Sequence, residues 1–259
     1  MLKDISFIAA IIIEIGVPIA LAVIFRKKFK ASWAIFFIGL ALFIVSLVRI
    51  PLNSYVSEML RYYFMGTNLV LVSILFPSFT AALFEEGFRT LGIGLIIRGK
   101  SYEKGLMYGA GHGGGGESMI LVGLSLMVNF ILYKFMPVIG GLDLQGLKTQ
   151  FEAVSWFMPL VGAGERILAI IIQIAFSVII MHAFLYKKYY FIVYAFVAHL
   201  VVDFVAVYLN LRFGVLWAEI SVIVFAGAGL AVILMLKSKA DKGVKEFNDF
   251  RRQNDQPGS

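Results

Sequence analysis

Residues 78–97 read SFTAALFEEGFRTLGIGLII. A spanning helix needs roughly 20 predominantly apolar residues. This stretch is that long, yet it carries Glu85, Glu86 and Arg89 near its middle. Ionisable groups inside spanning helices are costly, and by default they mark a functional site. Two further apolar runs are interrupted in the same way. YGAGHGGGGE at 108–117 contains His112 and Glu117, and HLVVD at 199–203 contains His199 and Asp203.

Working outward, the whole chain has the composition of a membrane protein. It is 60% hydrophobic and 15% charged, against roughly 45–50% and about 25% in soluble domains. The reading is an all-α, polytopic transmembrane helix bundle of about seven spans, at 5–25, 32–51, 68–97, 105–136, 165–186, 190–210 and 213–236. The third and fourth runs exceed a simple span. Breaks are expected at Pro77 and at Gly113 to Gly116, since each glycine costs roughly 1 kcal/mol in a helix interior. The first run reads as a retained span rather than a signal peptide, because it contains Glu14 and is followed by RKKFK. The absence of cysteine excludes disulfide frameworks and thiolate metal sites.

The net charge is +7, but the basic residues collect in the loops of one face, so no nucleic acid is implied. That face receives Arg26, Lys27, Lys28 and Lys30, then Arg98, Lys100 and Lys104, then Lys187 and Lys188, and most of the tail. The other has only Lys3, Arg61, Lys134, Lys148 and Arg212. The positive-inside rule makes the first face cytosolic. The expected location is a bacterial cell membrane, with the amino terminus outside and the carboxyl terminus in the cytosol. Residues 53–65 and 138–164 then lie outside. Glu85 and Glu86 come about 12 residues, roughly 18 Å, from the cytosolic end of their helix. His112 is about 8 residues and His199 about 10 from theirs, so all three can share one layer. A polar cavity open toward the cytosol is expected around them.

The spacings suggest roles. Glu85 and Glu86 stand four and three residues before Arg89, and either can pair with it along the helix. One arginine cannot neutralise both, so one carboxylate is held while the other is left for chemistry. A purely structural ion pair is the plain alternative. His199 and Asp203 are four apart, and the aspartate can fix the histidine tautomer, which serves a base or a metal ligand alike. His112 sits among glycines, which allow close helix approach or open backbone amides to a substrate. Glu117 lies five residues on, about 140° around an ideal helix, so the two diverge unless the glycines unwind it. No G-x-S-x-G accompanies the HGGGG, no Lys-Ser/Thr follows it, and H-E-x-x-H is absent. Lipase, P-loop and zincin chemistry are therefore excluded. Glu165 and Arg166 read as the opening of the fifth span, Gln173 and Ser177 as helix glue, His182 as interfacial, and Glu14 as a partner for Arg49.

The motifs resemble those of the YhfC family of bacterial intramembrane peptidases. More distantly they resemble the CAAX-protease and bacteriocin-processing (CPBP) superfamily, with its double glutamate and downstream arginine, aromatic-x-x-x-His, and His-x-x-x-Asn/Asp. Here these are Glu85-Glu86-Gly87-Phe88-Arg89, Tyr108 to His112, and His199 to Asp203. The arginine is one residue nearer the glutamates than in the CAAX pattern, and Tyr108 replaces phenylalanine. The glycine-rich segment to Glu117 is similar to YhfC alone.

The resemblance implies one integral membrane domain over 1–259. It would comprise peripheral helices 1–66, a CPBP-like core at about 68–211, a last span 213–236 and a cytosolic tail 237–259. It implies an intramembrane endopeptidase acting on a membrane protein or peptide within the lipid bilayer. Glu85, Glu86, Arg89, His112, Glu117, His199 and Asp203 would form the catalytic set. In a glutamic mechanism, toward which the resemblance and the absence of a standard zinc motif point, Glu85 or Glu86 activates the water and no cofactor is needed. In a metallo mechanism His112, His199 and Glu86 hold zinc. A transporter or a non-proteolytic scaffold or immunity protein is the alternative function.

Overall fold

The computed structural model describes residues 1–135, 138–139, 142–143 and 145–254, with side chains for 1–135 and 146–240. The helices are α1 (Leu2–Phe29), α2 (Trp33–Ser46), α3 (Arg49–Tyr63), α4 (Gly66–Leu91), α5 (Tyr102–Gly109), α6 (Ser125–Phe135), α7 (Gln145–Ala153), α8 (Met158–Leu185), α9 (Tyr190–Phe213) and α10 (Val215–Asn254). α4 runs on into a π turn, Gly92–Ile96, and a longer π-wound stretch, Ala110–Leu124, joins α5 to α6. A two-residue antiparallel ladder pairs Val138 with Asp143 and Ile139 with Leu142. Seven helical segments are long and apolar enough to cross a membrane, and the protein is a polytopic helical bundle.

Local sequence explains the helix ends. Ser32 caps α2 by accepting from the Ala34 amide at 3.2 Å, and Ser101 accepts from Lys104 at the start of α5; both satisfy amides that the first turn leaves free. α1 ends on Arg26, Lys27 and Lys28 with Lys30 in the left-handed region, where cations favour the negative end of the helix dipole. Lys100 turns back to the carbonyls of Ile93, Gly94 and Ile97 at the end of the π turn. Burial there pulls its ammonium below the ordinary lysine range.

α8 is the central post. Of its apolar window 61% is buried, against 33% or less for every other span. α9 and α10 pack on one flank, and α5 and α1 on the other.

The two expected breaks are not there. α4 passes through Pro77 unbroken. Pro is tolerated inside spanning helices where side-chain hydroxyls satisfy nearby carbonyls, and here the Ser78 hydroxyl donates to the Ile74 carbonyl and that of Thr80 to Pro77. Gly113 to Gly116 also stay helical, with wider π winding. Their smallness is used for contact. A Cβ on Gly111 would stand 2.0 Å from the Phe36 carbonyl oxygen, and one on Gly113 would stand 2.2 Å from Gln173 Cβ. The stretch is thereby pressed between α2 and α8. Gly111→Ala must push backbone against backbone, so it is expected to destabilise the protein by about 3 kcal/mol or more, read as a lowered Tm in detergent; an unchanged Tm would show that the helices are not so close. Two boundaries also move. The second span's helix α2 ends at Ser46, α3 covers 49–63, and α8 starts at Met158, seven residues before the expected start at 165.

Candidate active site

Glu85 and Glu86 are adjacent on α4, about 100° apart in azimuth, so they meet different partners. Glu86 Oε1 accepts from Arg89 Nη1 one turn later and from His199 Nδ1 at 2.6 Å. An ionised carboxylate only accepts, so Nδ1 carries the proton and a neutral His199 keeps its lone pair on Nε2. Glu85 Oε1 accepts from Arg49 Nη2 at 2.7 Å, and its Oε2 accepts from Gln173 Nε2 at 3.1 Å. That same Oε2 lies 4.0 Å from His112 Nε2 and 3.9 Å from His199 Nε2. Asp203 Oδ2 is 3.5 Å from His199 Nε2. Glu85, Glu86, Arg89, His112 and His199 are each no more than 2% exposed.

Aromatic rings hold the imidazoles in place. His112 stacks on Tyr108 at 5.8 Å and meets Phe43 edge-on at 5.4 Å. His199 stacks on Phe176 at 5.0 Å, with Arg89 over the same ring. Among the described residues neither nitrogen of His112 makes a hydrogen bond of good geometry. A buried imidazole left in this way is expensive unless it serves a ligand.

The three motifs therefore meet, but several expected details change. Glu86, anticipated as the third metal donor, has its Oε1 on Arg89 and on His199 Nδ1, whereas Glu85 Oε2 is the carboxylate oxygen about 4 Å from both Nε2 atoms. Glu86, not Asp203, holds the His199 tautomer; Asp203 lies on the Nε2 side. Glu117 does reach the cluster, because π winding closes its rings at i→i+5 and carries positions five apart toward one face. It accepts from Gln173 Nε2 at 3.0 Å and from Arg166 Nη1 at 2.9 Å. The glycines near His112 lie within the helix and serve contact.

Arg49 binds Glu85 rather than Glu14, which is buried with one oxygen unpartnered among the described residues. Glu165 and Arg166 lie two turns inside α8, too deep to be terminal dipole partners; Arg166 bridges Glu165 at 2.6 Å to Glu117. His182 packs against Tyr186 and Phe191, away from the site.

Gln173, expected as helix glue, does join helices, and it reaches into the cluster itself. Its Oε1 accepts from Arg89 and its two amide protons go to Glu85 and Glu117, so it joins both motif helices to α8. A polar amide at mid-span carries the same signal that singled out the charged groups, though more weakly.

Two spaces adjoin the cluster. A groove of about 630 Å³ between α4 and α9 is lined by Leu83, Phe84, Phe88, Ile192 and Phe196, with Glu86 in its wall. On the other side of His199 a polar cavity of about 90 Å³ is bounded by Glu117, Arg166, Gln173 and Asp203. It leads toward the start of α8 and the end of α9. The polar side chains that line it lie beyond the histidines toward the helix ends opposite the basic loops, not toward the basic loops as expected.

The cluster fits a divalent metal by donor chemistry. Two imidazoles and a carboxylate form a known catalytic zinc set, neither His112 nitrogen is tied up in a hydrogen bond of good geometry among the described residues, and Glu86 on His199 and Arg49 and Gln173 on Glu85 are contacts of the kind that orient ligands. Glu85 Oε2 stands farther from each imidazole, at 4.0 and 3.9 Å, than the roughly 3.4 Å between ligands of a tetrahedral zinc, and among the described residues no group of three is placed to hold a metal ion.

Comparison with known proteins gives the same direction. No solved structure matches the chain. An "Uncharacterized membrane protein YhfC" from Bacillus subtilis (strain 168) is 28% identical over 236 residues, covering 86% of this chain and 91% of the relative. The family described as "YhfC intramembrane metalloprotease" matches residues 13–224. With a match over most of its length, the chain belongs to the YhfC family.

Proposed function

We propose that the chain is a zinc-dependent intramembrane endopeptidase, with His112, His199 and Glu85 as the metal-holding residues. One observation carries the reading: Glu85 Oε2 lies about equally far, 4.0 and 3.9 Å, from two buried imidazole nitrogens. A bound zinc ion supplies a Lewis acid and a water activated near neutral pH. The protein supplies the rest. Glu86 keeps the Nδ1 proton of His199, and Arg89 offsets the charge of Glu86. Arg49 and Gln173 hold the Glu85 carboxylate in one rotamer. Asp203, beside Nε2 and facing the polar cavity, is placed to take the proton from the attacking water. The apolar α4–α9 groove receives the substrate segment from the lipid and brings its backbone to the Glu86 wall.

A metal-free glutamic mechanism would need Glu85 or Glu86 as a free base. Both carboxylates accept strong hydrogen bonds from arginines, which weakens them in that role. Metal analysis of purified protein tests the choice. About one zinc per chain is expected, with cleavage of membrane substrates lost on chelation and restored by zinc. His112→Ala and His199→Ala should lose both metal and cleavage. Full cleavage by metal-depleted protein would return the glutamic mechanism, and metal-independent solute flux without cleavage would favour a transporter.

The basic loops are proposed to be cytosolic, from their charge. A cysteine in place of Ser101 should resist an impermeant thiol reagent in intact cells and react after lysis. Labelling before lysis would invert the topology.

A further inference from the structure

The polar cavity beside His199 does not end at Arg166. A second space of about 280 Å³ shares Glu165, Ala206 and Val222 with it and continues past Gly162, Asn210 and Glu219. Gly162 lies in the first two turns of α8, Asn210 near the end of α9 and Glu219 in the second turn of α10. These ends lie opposite the basic loops 98–104 and 187–188, which join the other ends of the helices. The combined cleft therefore runs from the buried cluster to the face that the basic loops do not occupy.

Its walls carry charge of mainly one sign. Glu117, Glu165, Asp203 and Glu219 face it, against Arg166 alone. Hydrogen bonds also form an unbroken series along the inner part: Arg166 donates to Glu165 and to Glu117, and Gln173 donates to Glu117 and to Glu85. His199, 2% exposed, lines its inner end. The α4–α9 groove has no comparable polar lining: of the side chains named above only Glu86 is charged, and the rest are apolar.

We propose that this cleft is the aqueous entrance of the site, admitting water and hydrated cations, including a divalent metal, from the face opposite the basic loops. A low-dielectric cleft lined by carboxylates concentrates cations and excludes anions. The inference goes beyond the peptidase reading and needs it only to say what the water is for. It also separates the two routes: aqueous species use α8, α9 and α10, and apolar chain uses α4 and α9.

The chain has no cysteine, so single cysteines report access directly. Ala206→Cys and Ala169→Cys line the cleft, Ile93→Cys is a buried control, and Ser101→Cys marks the basic-loop side. Each full-length variant is reconstituted in vesicles and treated with membrane-impermeant methanethiosulfonates added on one side at a time. Ala206→Cys and Ala169→Cys are expected to react from the side on which Ser101→Cys does not, while Ile93→Cys reacts from neither. After correction for reactivity toward a free thiol, the cationic reagent should be faster than the anionic one by about tenfold or more. Glu165→Gln combined with Glu219→Gln should bring that ratio close to one, an effect that a neutral opening would not show. Reaction from the Ser101→Cys side, or of neither cleft cysteine in protein that remains monodisperse, would overturn the entrance. Equal rates for the two reagents would overturn its cation preference. None of these readouts uses zinc content or cleavage, so the entrance can fail while the peptidase reading stands, and the reverse.

Discussion

Glu85→Gln is expected to reduce cleavage by about a thousandfold or more, with the protein still folded. Glutamine keeps the volume and can still accept from Arg49, but it removes the carboxylate that lies about 4 Å from both His112 and His199. Removing such a group from a metal centre costs several kcal/mol of transition-state stabilisation, and each 1.36 kcal/mol is a factor of ten. Glu86→Gln touches the site only through His199 and Arg89, so the loss there should be nearer 10–100-fold, as for residues that orient a ligand. Rates for both variants on one membrane substrate, at matched protein levels and with zinc content measured, decide the order. A larger loss from Glu86→Gln would exchange the roles of the two glutamates. Wild-type rates from both would remove hydrolysis from this cluster altogether.

Arg89→Met is expected to lower stability by about 3–5 kcal/mol. Arg89 is fully buried and faces Glu86 and Gln173. Its removal leaves a buried carboxylate with His199 as its remaining partner, and stranding one member of a buried pair is among the most destabilising changes. The same argument predicts a rescue. Adding Glu86→Gln to Arg89→Met neutralises the stranded group and should recover a substantial part of the loss, though not the cleavage. Denaturation in detergent of the two single variants and the double variant gives the coupling directly. Wild-type stability of Arg89→Met would show that the pair contributes nothing to the fold, and strict additivity in the double variant would show that Glu86 is not what Arg89 neutralises.

The helical membrane fold and its seven spans were legible in the sequence because both depend on local chemistry. A spanning helix must satisfy its own backbone in lipid, so length and apolarity alone announce it. The layer of polar groups was legible for a related reason: charge is so costly at that depth that its position along each helix is a position in the membrane. Helix winding and azimuth were not. Depth places Glu85 and Glu86 together, but only packing shows that Glu85 turns between the histidines while Glu86 turns to Arg89 and His199 Nδ1. Glu117 seemed to face away from His112 because 100° per residue was assumed, and the π-wound stretch departs from it. Pro77 and Gly113 to Gly116 were weighed by their cost in an isolated helix, and neighbouring contacts outweighed that cost.

What the sequence alone determined about this protein is the bundle, its seven spans, and the presence of Glu85, Glu86, Arg89, His112, His199 and Asp203 within its apolar helices. The tertiary structure alone decided which atoms face one another. It brought in Arg49 from the start of α3 and Gln173 from mid-α8, neither carried by any of the three motifs, and it lined the polar cavity with side chains near the start of α8 and the end of α9. The physical reason is the range of the interactions. Hydrophobicity and desolvation act on each residue where it stands along its own helix, whereas hydrogen-bond partners and openings are set by how separate helices rotate against each other, through contacts such as Gly111 on Phe36 that link residues far apart in the chain.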